Sequence, residues 1–186
     1  MSVRSICVFC GSKPGANPVY VDLARRAGRA IASRGLTLVY GGGSRGMMGA
    51  VADGLLDAGG NAVGIIPDFL VGKEVAHPRI KDMRIVKSML DRKTMMLNMA
   101  DAFLTLPGGY GTLDELFEVI TWNQIGTIRK PCGILNINGF YSPTIDQIDL
   151  MTREGYILEK NRLLVIADDD LDRLLDLLTA VPDPRA

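Results

Sequence analysis

The residues of this chain that could do chemistry lie in two short stretches. The first is Leu104-Thr105-Leu106-Pro107-Gly108-Gly109-Tyr110-Gly111-Thr112-Leu113-Asp114-Glu115. An apolar run, Ala102 to Leu106, reads as a buried strand, and Leu113, Leu116, Phe117 and Ile120 open a helical stripe. The glycines between them let a ligand approach the main chain closely. The free N–H groups of the helix start then favour an anion such as phosphate, with the Glu115 carboxylate one turn into the helix. A structural reading competes: Thr112-x-x-Glu115 is also a capping box, in which Glu115 merely returns to the backbone of Thr112. The second stretch, Leu90-Asp91-Arg92-Lys93, sets two cations near the first turn of another helix. The helix dipole disfavours cations there, which points to ligand contact; the plain alternative is a solvated charged face.

Other chemistry finds less support. His77 is the one histidine and sits in an unpatterned loop, so no Ser-His-Asp or Cys-His arrangement can be built. Cys7-x-x-Cys10 falls inside a strand, where residues three apart point to opposite faces, and a zinc site would need further ligands. No metal is expected. Gly41-x-Gly43-x-x-Gly46 fits the dinucleotide fingerprint, with Asp68 downstream, but it follows the second strand rather than the first. No Walker lysine follows either glycine loop. What remains, carboxylate and arginine, suits cleavage of a glycosidic bond through an oxocarbenium-like transition state.

These groups need a scaffold, and 186 residues with 47% apolar and 23% charged content suit one nucleotide-binding domain over 1–186. Lys plus Arg equals Asp plus Glu at 21 each, so no net field attracts nucleic acid or an anionic membrane. Three cysteines fit a reducing cytoplasm, and no signal peptide or membrane-length apolar run is visible. Strands are expected at Ser5–Cys10, Leu36–Tyr40, Asn61–Ile66, Met83–Val86, Ala102–Leu106, Pro131–Asn136 and Leu163–Ile166. Helices are expected at Pro18–Ala32, Met47–Ala58, Ser88–Ala100 (Ser88 as N-cap), Leu113 to about Ile125, Ser142 to about Glu154, and Asp170–Leu178. Residues 68–80 have no clear period and read as a loop of functional length or as a partly helical segment. Met89, Met95, Met96 and Met99 read as core or a subunit interface.

Alternation of strands and helices means an α/β, Rossmann-like, doubly wound and mostly parallel sheet, helices on both faces. Ligands bind such sheets outside the carboxyl ends of the strands. Three glycine turns follow strands: Cys10-Gly11-Ser12, Tyr40-Gly41-Gly42-Gly43 and Pro107-Gly108-Gly109. All three should meet along one edge, with Gly11, Ser12, Gly42 and Gly43 joining the phosphate cradle.

Tyr40-Gly-Gly-Gly-Ser-Arg-Gly-Met-Met-Gly49, Arg92-Lys93 and Pro107-Gly-Gly-Tyr-Gly-Thr-Leu-Asp-Glu115 together resemble the Lonely Guy (LOG) family over nearly the whole chain. These are cytokinin-activating nucleoside 5′-monophosphate phosphoribohydrolases. Such sequences also carry a lysine decarboxylase label, which the missing pyridoxal machinery does not support. The resemblance implies cofactor-free hydrolysis of AMP-like nucleotides, N6-(isopentenyl)adenosine monophosphate above all, to free base and ribose 5-phosphate. It implies Glu115 as catalytic carboxylate and Arg92 as its partner, with Gly108, Gly109, Tyr110, Gly111 and Thr112 around the 5′-phosphate. Glu74, Lys93, Asp114 and Thr121 fall where the family places further contacts, and a cytoplasmic homodimer is implied. Two positions depart from the pattern: Leu90 where the family often has histidine, and Asp114 for the first acid of a Glu-Glu pair. The alternative is a non-catalytic nucleotide or cofactor carrier or sensor of the same fold.

Overall fold

The computed structural model describes residues 3–180. Seven strands form one parallel sheet: β1 (Ser5–Phe9), β2 (Thr37–Tyr40), β3 (Ala62–Pro67), β4 (Asp82–Val86), β5 (Ala102–Thr105), β6 (Cys132–Leu135) and β7 (Ile166–Asp168). Their order across the sheet is β4-β3-β2-β1-β5-β6-β7. The helices are α1 (Val19–Ser33), α2 (Gly46–Asp57), α3 (Met89–Met99), α4 (Tyr110–Gln124), α5 (Ser142–Arg153), the single turn α6 (Glu159–Arg162) and α7 (Leu171–Thr179). This is the doubly wound α/β architecture expected from the alternation.

Alternate residues of each strand enter opposite cores. Ile6, Val8 and Cys10 pack with Leu23 and Ile31 of α1, Val51 and Leu55 of α2, and Leu174 and Leu178 of α7. Cys7 and Phe9 face the other way, among Met96 and Leu97 of α3, Leu116 and Val119 of α4, and Ile148 of α5. Cys7 and Cys10 thus sit on opposite sides of the sheet, as their spacing requires. Apolar content on both faces is what a parallel sheet covered on both sides demands.

The chain winds outward from β1 to β4, and α3 then crosses back to lay β5 against the free edge of β1. Strand order reverses between β1 and β5, and there the turns after the two strands diverge to leave a crevice. Gly11 N–H donates to Pro107 O at 3.0 Å, stitching those two turns together.

Two boundaries differ from expectation, those of β7 and α4. β7 is Ile166–Asp168, not Leu163–Ile166. Leu163 is 78% exposed beyond the turn α6, and the edge strand takes its register instead from Leu135 opposite Asp168. α4 begins at Tyr110, three residues early. Its first turn faces a cavity rather than the core, so the apolar period is silent there. Of the two readings open for residues 68–80, the partly helical one holds, with a 3-10 turn over Asp68–Leu70 and a π turn over Val71–Val75.

Candidate active site

At the β1/β5 crevice lies a cavity of about 650 Å³. Its floor is the turn after β1 (Cys10, Gly11, Ser12, Lys13) and the turn after β5 (Pro107 to Thr112). Arg92 and Glu115 enter from α3 and α4, and Gly41 from the turn after β2.

Gly109, in extended backbone, is the N-cap of α4, with no side chain capping the helix. The N–H groups of Tyr110, Gly111 and Thr112 are therefore the start of a helix dipole with an anion's place in front of it. Thr112 lies inside the helix and is buried, so it is not an N-cap and the capping-box reading of Thr112 and Glu115 fails. Tyr110 stands 95% exposed at the rim. Glu115 follows on the cavity side of the second turn, half-buried.

Arg92 is only 4% exposed. Ser88 caps α3, its Oγ accepting from Asp91 N–H at 3.0 Å, as its spacing anticipated. Arg92 follows one residue on and reaches across to the turn after β2, where Nη2 donates to Gly41 O at 3.0 Å. A Cβ at Gly41 would overlap that nitrogen, so glycine is what lets the guanidinium approach. A buried cation held this way is costly unless it has negative charge to meet.

The electrostatics reach the sheet. Burial pushes the Cys7 thiol well above its ordinary range, with Glu115 adding to the rise and Arg92 opposing it. Burial and Glu115 raise Cys10 likewise, and burial alone takes Cys132 to about 12. None of the three can serve as a thiolate near neutral pH. Among the described residues no cluster of three metal-ligating side chains occurs.

The cavity gathers Glu115, Arg92, Gly11, Ser12, Gly108, Gly109, Tyr110, Gly111 and Thr112 from the sequence-derived set. It does not gather the rest. Gly42 O accepts from His77 N–H at 2.9 Å and Gly43 bridges to Ala76, so both are consumed in a loop-to-loop clip. Lys93 instead bridges from α3 to α4, 3.1 Å from Asp114 and 3.4 Å from Glu118. Burial works against its charge, but the Asp114 hydrogen bond and the Glu118 field outweigh it and raise Lys93 above the ordinary lysine range. Asp114 and Thr121 line a shallow depression on the outer face of α4, and Thr121 Oγ1 donates to Phe117 O. Glu74 belongs to the π turn, but its side chain lies outside the described residues.

Sequence reasoning missed the walls. Met47 and Met48 of α2, Met89 and Met96 of α3, Leu70, Tyr20 and Phe140 complete the cavity. Tyr20 and Phe140 meet edge to face, centroids 5.5 Å apart. No local signal joins these residues, which are 120 apart. The rule that ligands sit at strand carboxyl ends points to Phe140, which follows β6.

A parallel α/β sheet whose switch-point cavity joins an uncapped helix start to a carboxylate and a buried arginine defines a nucleotide-site class of protein. Residues 48–178 match the family model described as possible lysine decarboxylase. The chain is 47% identical over 164 residues to the cytokinin riboside 5′-monophosphate phosphoribohydrolase LOG of Oryza sativa subsp. japonica, covering 88% of this chain and 68% of the rice protein. A second cytokinin riboside 5′-monophosphate phosphoribohydrolase, from Arabidopsis thaliana, is 42% identical over 175 residues, 94% of this chain and 82% of its own. The chain belongs to this LOG family. In fold it also resembles the molybdenum cofactor binding protein of Rippkaea orientalis, with TM-score 0.70 over 95% of this chain and 96% of that one, at 22% identity.

Proposed function

We propose that this chain hydrolyses the N-glycosidic bond of adenosine 5′-monophosphates, N6-modified ones included, to free base and ribose 5-phosphate. The observation carrying the reading is that Glu115, Arg92 and the uncapped start of α4 share one cavity whose other walls are largely apolar. A 5′-phosphate on the N–H groups of Tyr110, Gly111 and Thr112 sets the ribose beside Glu115. As the C1′–N bond breaks, positive charge grows on the ribosyl ring, and the carboxylate stabilises it and orients water. The water oxygen bonds to C1′, and its proton ends on the base nitrogen that has left. Arg92 holds the anionic substrate and fixes the charge geometry. Met47, Met48, Met89 and Leu70 offer an apolar wall for the base and an N6 substituent. The names of the rice and Arabidopsis relatives agree with this activity.

We extend the proposal to a cofactor-free cytoplasmic enzyme working as one unit over residues 1–186. Among the described residues no helix is long and apolar enough to cross a membrane. In this reading it is a homodimer whose contact lies on the outer faces of α3 and α4, where Leu90 and Ile125 are exposed and Phe117 and Trp122 border the shallow depression. Lys93, Asp114 and Thr121 share that face, and Glu74 contacts nucleotide from the π turn.

Incubation with AMP and with N6-isopentenyl-AMP, followed by chromatography for free base, tests the reading. Preferential release from the modified nucleotide supports cytokinin activation, and release from AMP alone points to salvage. No release from either, with tight AMP binding, overturns the enzyme in favour of a carrier.

A further inference from the structure

His77 is used by no step above, yet it is buried with a polar neighbour at each ring nitrogen. Its N–H donates to Gly42 O at 2.9 Å, and its Nδ1 accepts from Arg79 N–H at 3.3 Å. That acceptance leaves the ring proton on Nε2, which lies 3.3 Å from Asp53 Oδ1 on α2. Arg79 closes the cluster, 3.1 Å from Asp53 and 2.8 Å from Asp57. One residue pair upstream, Ser44 N–H donates to Val75 O and Gly43 bridges to Ala76. Val75 has φ +52, a left-handed conformation that a β-branched residue keeps only when its surroundings hold it. The far end of the same segment carries Leu70 into the cavity wall.

We propose that His77, clamped to Asp53, is a positioning residue that holds residues 68–76 in place and, through them, Leu70 in the wall of the nucleotide cavity. The segment leaves β3 and has no strand or long helix of its own. Its shape depends on being pinned at 75–77 to the turn after β2 and to α2. Release of the pin frees Leu70 from the apolar end of the cavity while Glu115 and Arg92, on α4 and α3, keep their places. The nucleotide part of this inference rests on the proposed function; the clamp does not.

Two variants of the full chain separate a clamp from a core histidine. His77→Ala removes both ring contacts. His77→Gln offers an amide oxygen and an N–H in their stead. Hydrogen exchange of the ligand-free proteins reads the clamp directly: amides of 68–76 should exchange about tenfold faster in His77→Ala, near wild type in His77→Gln, with β1 and β5 unchanged in both. Unchanged exchange in His77→Ala, or acceleration spread through β1 and β5, overturns the clamp. In base-release kinetics His77→Ala should raise KM for N6-isopentenyl-AMP about tenfold with kcat within about twofold, and His77→Gln should restore it. A loss confined to kcat overturns the wall's part in binding. Absence of turnover in wild type would sink the proposed function alone, since exchange still decides the clamp.

Discussion

Two turns of this molecule look alike in sequence and do opposite things. Gly41-Gly42-Gly43 and Gly108-Gly109-Tyr110-Gly111 each follow a buried strand and each open a helix. After β5 the helix start is uncapped and opens into the cavity. After β2 it is closed: Met47 and Met48 N–H both donate to Gly11 O, and Gly42 and Gly43 are tied to residues 76 and 77. Only Gly41 serves the site, by accepting from Arg92. Glycine after a strand therefore marks close approach, and the approaching group is a ligand in one turn and more protein in the other.

The open turn is most sensitive at Glu115. Glu115→Gln should lower kcat by about a thousandfold, while AMP still binds in calorimetry because the open turn is intact. Loss of binding with loss of turnover would mean that the carboxylate holds the cradle together. Next is Gly41→Ala, whose methyl would displace the Arg92 guanidinium. We expect kcat/KM about a hundredfold lower from misplacement alone, with the melting temperature shifted by a few degrees at most.

A matched pair sharpens the contrast. Gly46 has φ +58, and a Cβ there would overlap Ser12 O, so Gly46→Ala should cost about 2 kcal/mol, measured by urea denaturation. Gly111 has nothing within 4 Å of an added Cβ. Gly111→Ala should leave stability unchanged or raise it by up to about 1 kcal/mol, yet weaken AMP binding about tenfold by filling the approach to the phosphate. Equal effects at both positions would erase the distinction between the turns.

A last effect concerns the buried thiols of Cys7, Cys10 and Cys132. Their folded pKa values are raised, so the unfolded chain loses protons first as pH rises. Their contribution is complete below the unfolded value, about 8.5, and is lost as pH climbs toward the folded values, at up to about 1.4 kcal/mol per pH unit for each thiol. Denaturant titration between pH 8 and 10 should show a slope that shrinks in Cys132→Ala, the thiol raised to about 12.

Much of this was legible because the strands are buried on both faces and read as unbroken apolar runs, as in Ile6-Cys7-Val8-Phe9. What escaped follows physical rules that a linear pattern does not carry. Residues Tyr110 to Thr112 serve the cavity, so no apolar period announced the start of α4. Arg92 and Lys93 are neighbours in sequence but about 100° apart around α3, and so one enters the cavity while the other meets Asp114 and Glu118. Which of three adjacent glycines meets the guanidinium is decided by where α3 crosses, not by β2. The Tyr20–Phe140 wall comes from parts of the chain that only the closed sheet brings together.

The stitch from Gly11 to Pro107 also has a consequence for how the protein is made. On the ribosome β1 can pair with β2 as soon as residue 40 has emerged, but its other edge waits for β5, about sixty residues later. Throughout that interval a short strand, apolar from Ile6 to Phe9, shows a bare edge to solvent. Nucleotide cannot shield it, because the groups that would hold a phosphate are synthesised after the strand that covers the edge. The young chain must reach the end of β5 without help from its own substrate.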